Sequence, residues 1–271
     1  MTTDRDAWKQ HVGGFAWPTI LLLVGVIALE AVAWSGRVPL LLGSVLATLA
    51  GYLAFTVMHE ASHGNIHGRH RRFAKLGTVA GWVASATLFA PYPAFRVLHL
   101  RHHSYTNHPD KDPDYFVAGS AWMAPIRCLK TLPHYYREFL FGKTSHTKQA
   151  RRERAGVLLG IAVYVCAAIG LTLSGRGLEV LMLWIVPSVL ATALLALGFD
   201  WLPHHPHDTR ERFHDTRIID AKILDLVLVG QNLHLVHHLW PRVPFYKYRA
   251  AFEDSREDLQ RKGAPIVTFG R

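Results

Sequence analysis

Cysteine is nearly absent. The 271 residues hold only Cys128 and Cys166, too few for an iron–sulfur cluster or a four-thiolate zinc site. Cys166 lies inside an apolar run, which also argues against a disulfide framework. Charge is scarce too: 18% of residues are charged and 50% are hydrophobic. That balance is too apolar for a typical soluble enzyme and suits a bilayer. The opening "MTTDRDAWKQHVGG" runs into an apolar stretch long enough to remain as a span, so no cleavable signal peptide is expected. No internal repeat, low-complexity tract or linker is visible, and a single domain over 1–271 is expected.

Four apolar segments approach the ~20 residues that ~30 Å of hydrocarbon requires: 15–34, 38–58, 157–173 and 178–202. The short connections "SGR" and "SGRG" pair them into two hairpins. A fifth run, 76–95, carries Gly77, Gly81, Pro91 and Pro93, and reads as a re-entrant or interface-lying segment. Of the 30 Lys and Arg, only Arg37 and Arg176 lie in the hairpin turns; the others fall in the N-terminal tail, in 64–155 or in 203–271. The positive-inside rule then puts both termini and the middle segment in the cytoplasm. Topology thereby accounts for the net charge of +10 without nucleic acid, and anionic lipid headgroups become the default partner of 64–155. The expected fold is an all-α integral membrane protein: four transmembrane helices in two hairpins, interfacial or re-entrant helices, and a cytoplasmic histidine-rich cap.

What the chain has in excess is histidine, eighteen in all. "HEASH" places His59 and His63 at i, i+4. "HLRHH" places His99, His102 and His103 at i, i+3, i+4, and "HLVHH" repeats that spacing with His234, His237 and His238. "LPHHPH" adds His204, His205 and His207. Residues three and four apart share a helix face, so each set can aim its rings at one region. All four sets lie at the cytoplasmic ends of spans or in cytoplasmic segments, under a topology drawn from Lys and Arg alone. Imidazole suits Fe, Zn, Cu and Ni alike. Eight or nine rings exceed the four to six positions of one ion, so a dinuclear centre is expected.

These motifs, together with "YTNHPDKDPD" and "NLHLVHHLWP", strongly resemble the membrane fatty-acid desaturase and hydroxylase superfamily, over nearly the whole chain. "FDWLPHHPH", "GQNLHLVHHLWPRVPFYKY" and "HPDKDPDYF" look most like the bacterial and cyanobacterial β-carotene hydroxylases. The resemblance implies a four-span, non-haem di-iron protein that uses O₂ and two electrons to attack unactivated C–H bonds. It implies nine ligands: His59, His63, His99, His102, His103, His204, His234, His237 and His238. His204 is taken from its cluster because it follows Leu-Pro. The related pattern has Arg where this chain has His205, and His207 is additional; both are expected beside the ligands. Zinc can replace iron in a purified sample, since imidazole cages accept it.

Asp200, four residues before His204, is expected to orient that ring or hold a water on the metal. His67, Asp112, Asp114 and Asn232 are further candidates for supporting the ligand rings, and Glu60 for structure or support. The aspartates Asp110, Asp112 and Asp114 lack the Gly and distal Glu of an EF-hand loop, which makes calcium the wrong reading. Trp82, Phe89, Trp201 and Trp240 are candidate walls of a hydrocarbon tunnel. The activity implied is hydroxylation of a carotenoid β-ionone ring, with fatty-acyl desaturation as the near alternative. The implied partners are a lipid or carotenoid substrate, membrane lipids, and a separate electron donor such as a ferredoxin. A histidine-lined metal transporter is the rival of another class; such sites lie near the bilayer midplane, whereas these histidines gather at cytoplasmic ends. A bacterial inner membrane is the expected location.

Overall fold

The computed structural model describes residues 4–268; the extreme termini expected in the cytoplasm fall outside the described residues. Helices α1 (Trp17–Ala33) and α2 (Leu40–Ser62) pack along each other as the first hairpin. On α2, Gly43, Ala47, Ala50, Gly51 and Ala54 are buried, and such small residues let helix backbones approach closely. A Cβ on Gly51 would lie 3.1 Å from both the Ala191 Cβ and a Leu88 methyl. The central core forms around α2, where Ala54, Val57 and Met58 meet Leu88, Phe95, Leu195 and Phe199.

Helices α3 (Ala74–Thr87) and α4 (Tyr92–Tyr105) meet at a bend of 99°, a break that the prolines of the 76–95 run predict. Proline is tolerated in the first turn of α4 because that turn has no use for its missing N–H. The freed carbonyls at the break find side-chain donors. The Trp184 indole donates to Ala86 at 2.7 Å, the Ser188 hydroxyl donates to Thr87 at 3.0 Å, and the Tyr136 hydroxyl donates to Phe89. Non-helical backbone at membrane depth needs this kind of internal satisfaction.

Residues Lys148–His204 form one helical stretch of 57 residues, interrupted at Gly175, whose φ is +90°. On a straight helix Tyr164 and Trp184 would stand about 30 Å apart. Their rings are 6.0 Å apart, so the chain reverses at Gly175. Arg176 reaches over the Trp34 ring at 5.6 Å, which brings the turns of the two hairpins together. By length and composition Leu40–Ser62 and Lys148–His204 are able to cross a membrane, as is the bent pair if counted as one span. At 17 residues, α1 is apolar but shorter. Wide turns of π geometry occupy Leu181–Ile185 and Ala196–Trp201, the second just before His204.

Beyond His204 the chain builds a cap with its own core, in which Leu233, Leu235, Tyr248, Phe252 and Leu259 are fully buried. Here the all-α expectation needs correcting. Strand β1 (Ile218–Asp220) pairs in parallel with β2 (Ile266–Thr268), Ile218 opposite Ile266. Strands of three residues are too short to show an alternating pattern in sequence. The turn Asp4–His11 lies against Tyr248–Arg261, with Trp8 stacked on Trp240 at 5.8 Å and His11 paired with Asp254 at 2.6 Å.

The segment after α2 is tied to the lead of α1. The Ala16 N–H donates to Ile66 and the Arg69 N–H to Gly13, each at 3.0 Å. Gly68 sits there with φ +54°, and a Cβ on it would lie 2.2 Å from the Gly14 carbonyl oxygen. Gly68→Ala should therefore cost about 1–3 kcal/mol and lower the melting temperature in detergent, while Gly14→Ala, which has open space around it, should leave it unchanged. Equal melting of the two variants would contradict this packing.

Candidate metal centre

Four helix ends deliver the nine histidines to one place. His59 and His63 close α2; His99, His102 and His103 occupy the last turns of α4; His204 ends the stretch Lys148–His204; His234, His237 and His238 lie on the short helix His234–Leu239. Their ring nitrogens fall into two compact groups, each within 4.8 Å of one another. One holds His59, His63, His99, His103 and His237; the other holds His102, His204, His234 and His238. The groups adjoin, with the His103 and His238 rings 4.4 Å apart.

The partition explains the spacing. In "HLRHH" the i, i+4 pair His99 and His103 joins the first group, and His102 between them joins the second. In "HLVHH" the i, i+4 pair His234 and His238 joins the second group, and His237 crosses to the first. At 3.6 residues per turn the ring at i+4 is displaced by about 40° to one side of the first and the ring at i+3 by about 60° to the other. Each motif thus serves two adjacent points.

The nitrogens fit a metal better than they fit each other. In the first group Nε2 atoms meet as His63–His99 at 2.8 Å, His99–His103 at 3.1 Å, His103–His237 at 2.8 Å and His237–His59 at 3.0 Å. A ring nitrogen carries either one proton or one lone pair, directed in the ring plane. Each can therefore take part in one N–H···N bond, and at most two of these four contacts can be such bonds. In the second group both His204 ring nitrogens are buried without a partner. Convergent, unsatisfied imidazole lone pairs with no thiolate among them suit iron, zinc or another borderline cation. Burial holds His234, His237 and His238 well below the usual imidazole pKa, so these rings are neutral and their lone pairs free at pH 7.

Four of the outward Nδ1 atoms are held by other side chains, which fixes which nitrogen of those rings faces inward. His102 contacts Asp112 at 2.9 Å, His234 contacts the Gln231 amide oxygen at 2.9 Å, His237 contacts the Tyr248 hydroxyl at 2.9 Å and His238 lies 3.4 Å from the Thr106 hydroxyl. Asp112 itself accepts backbone N–H bonds from Asn107 and Asp114. Asp114 stands 3.4 Å from His102 and accepts from the Tyr135 hydroxyl at 2.6 Å. Burial pushes the Asp114 carboxyl up to about 6, against the opposing pull of His102.

Asp112 and Asp114 lie beside the His102 ring, whereas His67 and Asn232 turn away from the nine rings. His67 turns to the Gly68 carbonyl at 3.0 Å and borders a surface cleft with Arg69, Arg71 and Arg242. Asn232 spends its amide on the Ile219 carbonyl and Asp225, tying the helix His234–Leu239 to the cap. Asp200 shares a cavity wall with Asp114 and His102. Glu60 is fully buried, 3.7 Å from His59 Nδ1 and 3.2 Å from the Asn65 amide. His205 lies tilted against Trp201 at 4.8 Å and His207 lies 5.9 Å from the His204 ring, both outside the two groups. Gln231, Tyr248 and Thr106 were not foreseen. Gln231 sits three residues before His234, a spacing that could have revealed it; Tyr248 and Thr106 are placed by the tertiary fold.

An apolar cavity of about 50 Å³ ends on His59, His99, His102 and His234, with Phe55, Phe95, Leu195 and Phe199 in its walls. The aromatics proposed as its walls lie elsewhere. Trp82 packs over Gly160, Phe89 against Tyr164 and Trp184, and Trp240 on Trp8. Trp201 borders a separate groove.

Tyr248→Phe should keep the fold, because the ring stays, but should weaken metal retention by roughly 10–100-fold through loss of the His237 contact. Competition with a chelator followed by elemental analysis measures this. Retention equal to that of the unaltered protein would remove the role given to Tyr248.

Comparison with known proteins agrees with this geometry. The fatty acid desaturase family pattern matches residues 35–270. A β-carotene ketolase of Paracoccus sp. (strain N81106 / MBIC 01143) is 31% identical over 203 residues, 71% of each chain. An omega-3 fatty acid desaturase of Caenorhabditis elegans is 27% identical, covering 95% of this chain and 70% of its own. A dihydrorhizobitoxine desaturase of Bradyrhizobium elkanii is 27% identical, covering 75% and 64%. The chain belongs to the fatty acid desaturase family.

Proposed function

We propose that this protein is an integral membrane di-iron oxygenase that uses O₂ to oxidise a C–H bond of an apolar lipid, with the β-ionone ring of a carotenoid as its substrate and hydroxylation as its reaction. The observation that carries the reading is the sorting of nine histidines, seven of them buried, into groups of five and four beside an apolar cavity. The 31% identity to a β-carotene ketolase supports the carotenoid. Four spans, with the termini and histidines on the cytoplasmic side of a bacterial inner membrane, fit the chain reversal at Gly175 and the distribution of Lys and Arg.

Two iron ions would be held by the two histidine groups. Bound iron supplies the activation of O₂ and the attack on an unactivated carbon, which no side chain can perform. The protein positions and excludes. Asp112, Gln231, Thr106 and Tyr248 hold the ligand rings in one tautomer and orientation. Phe55, Phe95 and Phe199 keep water from the cavity and set which carbon lies beside the metals. Electrons would come from a separate ferredoxin-like protein on the basic surface of 127–154.

A second reading, desaturation of an acyl chain, is favoured by the narrowness of the cavity and by the relatives that are desaturases. The transporter reading is weakened by the gathering of all nine rings at helix ends.

Expression in a bacterial host that accumulates β-carotene, with pigments and total fatty acids measured from the same cells, separates the two oxidations. Hydroxylated carotenoids beside an unchanged acyl profile are expected; unaltered β-carotene beside new acyl double bonds would sink the carotenoid reading. Anaerobic purification with lipid should yield about two irons per chain. Ala at His59, His102, His204 or His237 should abolish turnover without loss of membrane insertion, which depends on apolar burial, and His146→Ala should be close to silent. One tightly held zinc with no iron requirement would remove the mechanism.

A further inference from the structure

The cavity that reaches the histidines is small. At about 50 Å³ it offers room for only a few waters, too little for the whole of a long hydrocarbon. The remainder must lie in another apolar volume close to it.

One such volume adjoins. A groove of about 920 Å³ runs between α2 and residues 182–202. Leu41, Val45 and Leu49 line one side at four-residue intervals, and Val186, Leu190 and Leu194 line the other with the same interval. These spacings put each row on a single helix face. Between Met182 and Leu202 the groove follows about 30 Å of helix, the thickness of the hydrocarbon core. Its outer rim is open, with Leu41 71% and Leu194 51% exposed. Of its few hydroxyls, that of Thr48 is already spent on the Ser44 carbonyl at 2.8 Å.

The groove and the cavity share one wall. Tyr52 faces the groove, Phe55 and Phe199 face the cavity, and Phe199 meets the other two edge-on at 5.5 and 5.4 Å. The partition consists of these rings, Tyr52 on the groove side and Phe55 and Phe199 on the cavity side. At its edge the Tyr52 hydroxyl donates to the Val227 carbonyl at 2.9 Å. Val227 and Leu228 close that end of the groove, and Gln231 and His234 border the cavity a few residues on. Between them Val229 has φ +49°, a strained conformation for a β-branched residue, followed by Gly230 at φ +80°. A single segment, 227–234, thus touches both compartments.

We propose that this groove is the docking track for the long apolar arm of the substrate, which arrives sideways from the bilayer and passes its reacting end through the Tyr52–Phe55–Phe199 wall. The occupant is the lipid-soluble substrate itself, so this rests on the functional reading above. A substrate dissolved in the bilayer reaches the track without crossing water, and the length of the groove suits a rod lying along the membrane normal.

The test uses the full chain in nanodiscs, with β-carotene and an acyl lipid as the two probes. Leu190→Trp fills the middle of the groove far from the histidines. It should raise KM about tenfold with kcat within about twofold, the signature of lost uniform binding, at unchanged metal content. Leu159→Trp, on an exposed face of the helix Lys148–Leu171, should behave as the unaltered protein. A benzophenone side chain at position 190 should crosslink the converted probe on illumination, and one at 159 should not; this measurement also serves if Leu190→Trp does not fold. Unaltered kinetics in Leu190→Trp, with only phospholipid adducts at 190, would mean that ordinary bilayer lipid covers the groove and would overturn the proposal alone. Unaltered protein that converts neither probe would overturn the functional reading and the track with it.

Discussion

Nine imidazoles have to lie side by side where water is largely excluded, and each must keep a lone pair free. The remainder of the architecture answers that demand. Four separate helix ends are needed, because a helix end presents only two or three rings to one side. Burial keeps the rings of the helix His234–Leu239 uncharged at neutral pH, since a charged imidazole would pay a desolvation cost there. Adjacent lone pairs in a low-dielectric setting repel unless a cation lies between them. Metal binding and the final ordering of this region should accordingly be coupled, as in other sites whose ligands come together only in the folded chain.

Helical periodicity supplies the division into two groups. The same five-residue motif sends its i, i+4 pair one way and its i+3 ring the other, and the two copies face each other with the roles reversed. His102 from one motif and His237 from the other each cross to the opposite group. Neither group of rings can then be moved without moving both helices, α4 and His234–Leu239. The π turn at Ala196–Trp201 precedes His204, the single ligand from its stretch. A wide turn rotates the residues beyond it relative to a regular helix, and here it precedes the turn that carries His204 into the second group.

Much of this was legible in the sequence because it is local. The histidine spacings, the hairpin turns and the proline break between α3 and α4 are patterns within a few residues. What escaped is long-range. Tyr248, eleven positions on, reaches back to His237 from the start of another helix, and Thr106 approaches His238 from just beyond the end of α4. His67 has a ligand-like i+4 spacing from His63, but α2 ends at Ser62, so the periodicity that would bring it to the cluster is lost. Asn232 lies two residues before a ligand, yet it faces the cap. Trp82 and Trp240 misled for a related reason: aromatic content marks an apolar environment without saying which cavity it borders. Strands β1 and β2 pair residues nearly fifty positions apart over too short a length for any pattern.

The packing of α2 then acquires a second meaning. Its glycine and alanine stripe brings it close enough to the returning stretch that Gly51 lies against Ala191, and both helices end in residues of the two histidine groups, His59 and His63 on one and His204 on the other. Side chains at that contact set the interaxial distance, because close-packed helices have no slack to absorb an added methyl group. A shift there is carried rigidly along the helices toward the histidines. It would also alter the aromatic wall of Tyr52, Phe55 and Phe199, which lies between the contact and the rings. The residues that let the helices associate within the membrane therefore also help set the positions of the ligands and of the cavity wall. Their small size is as much a property of the site as of the fold.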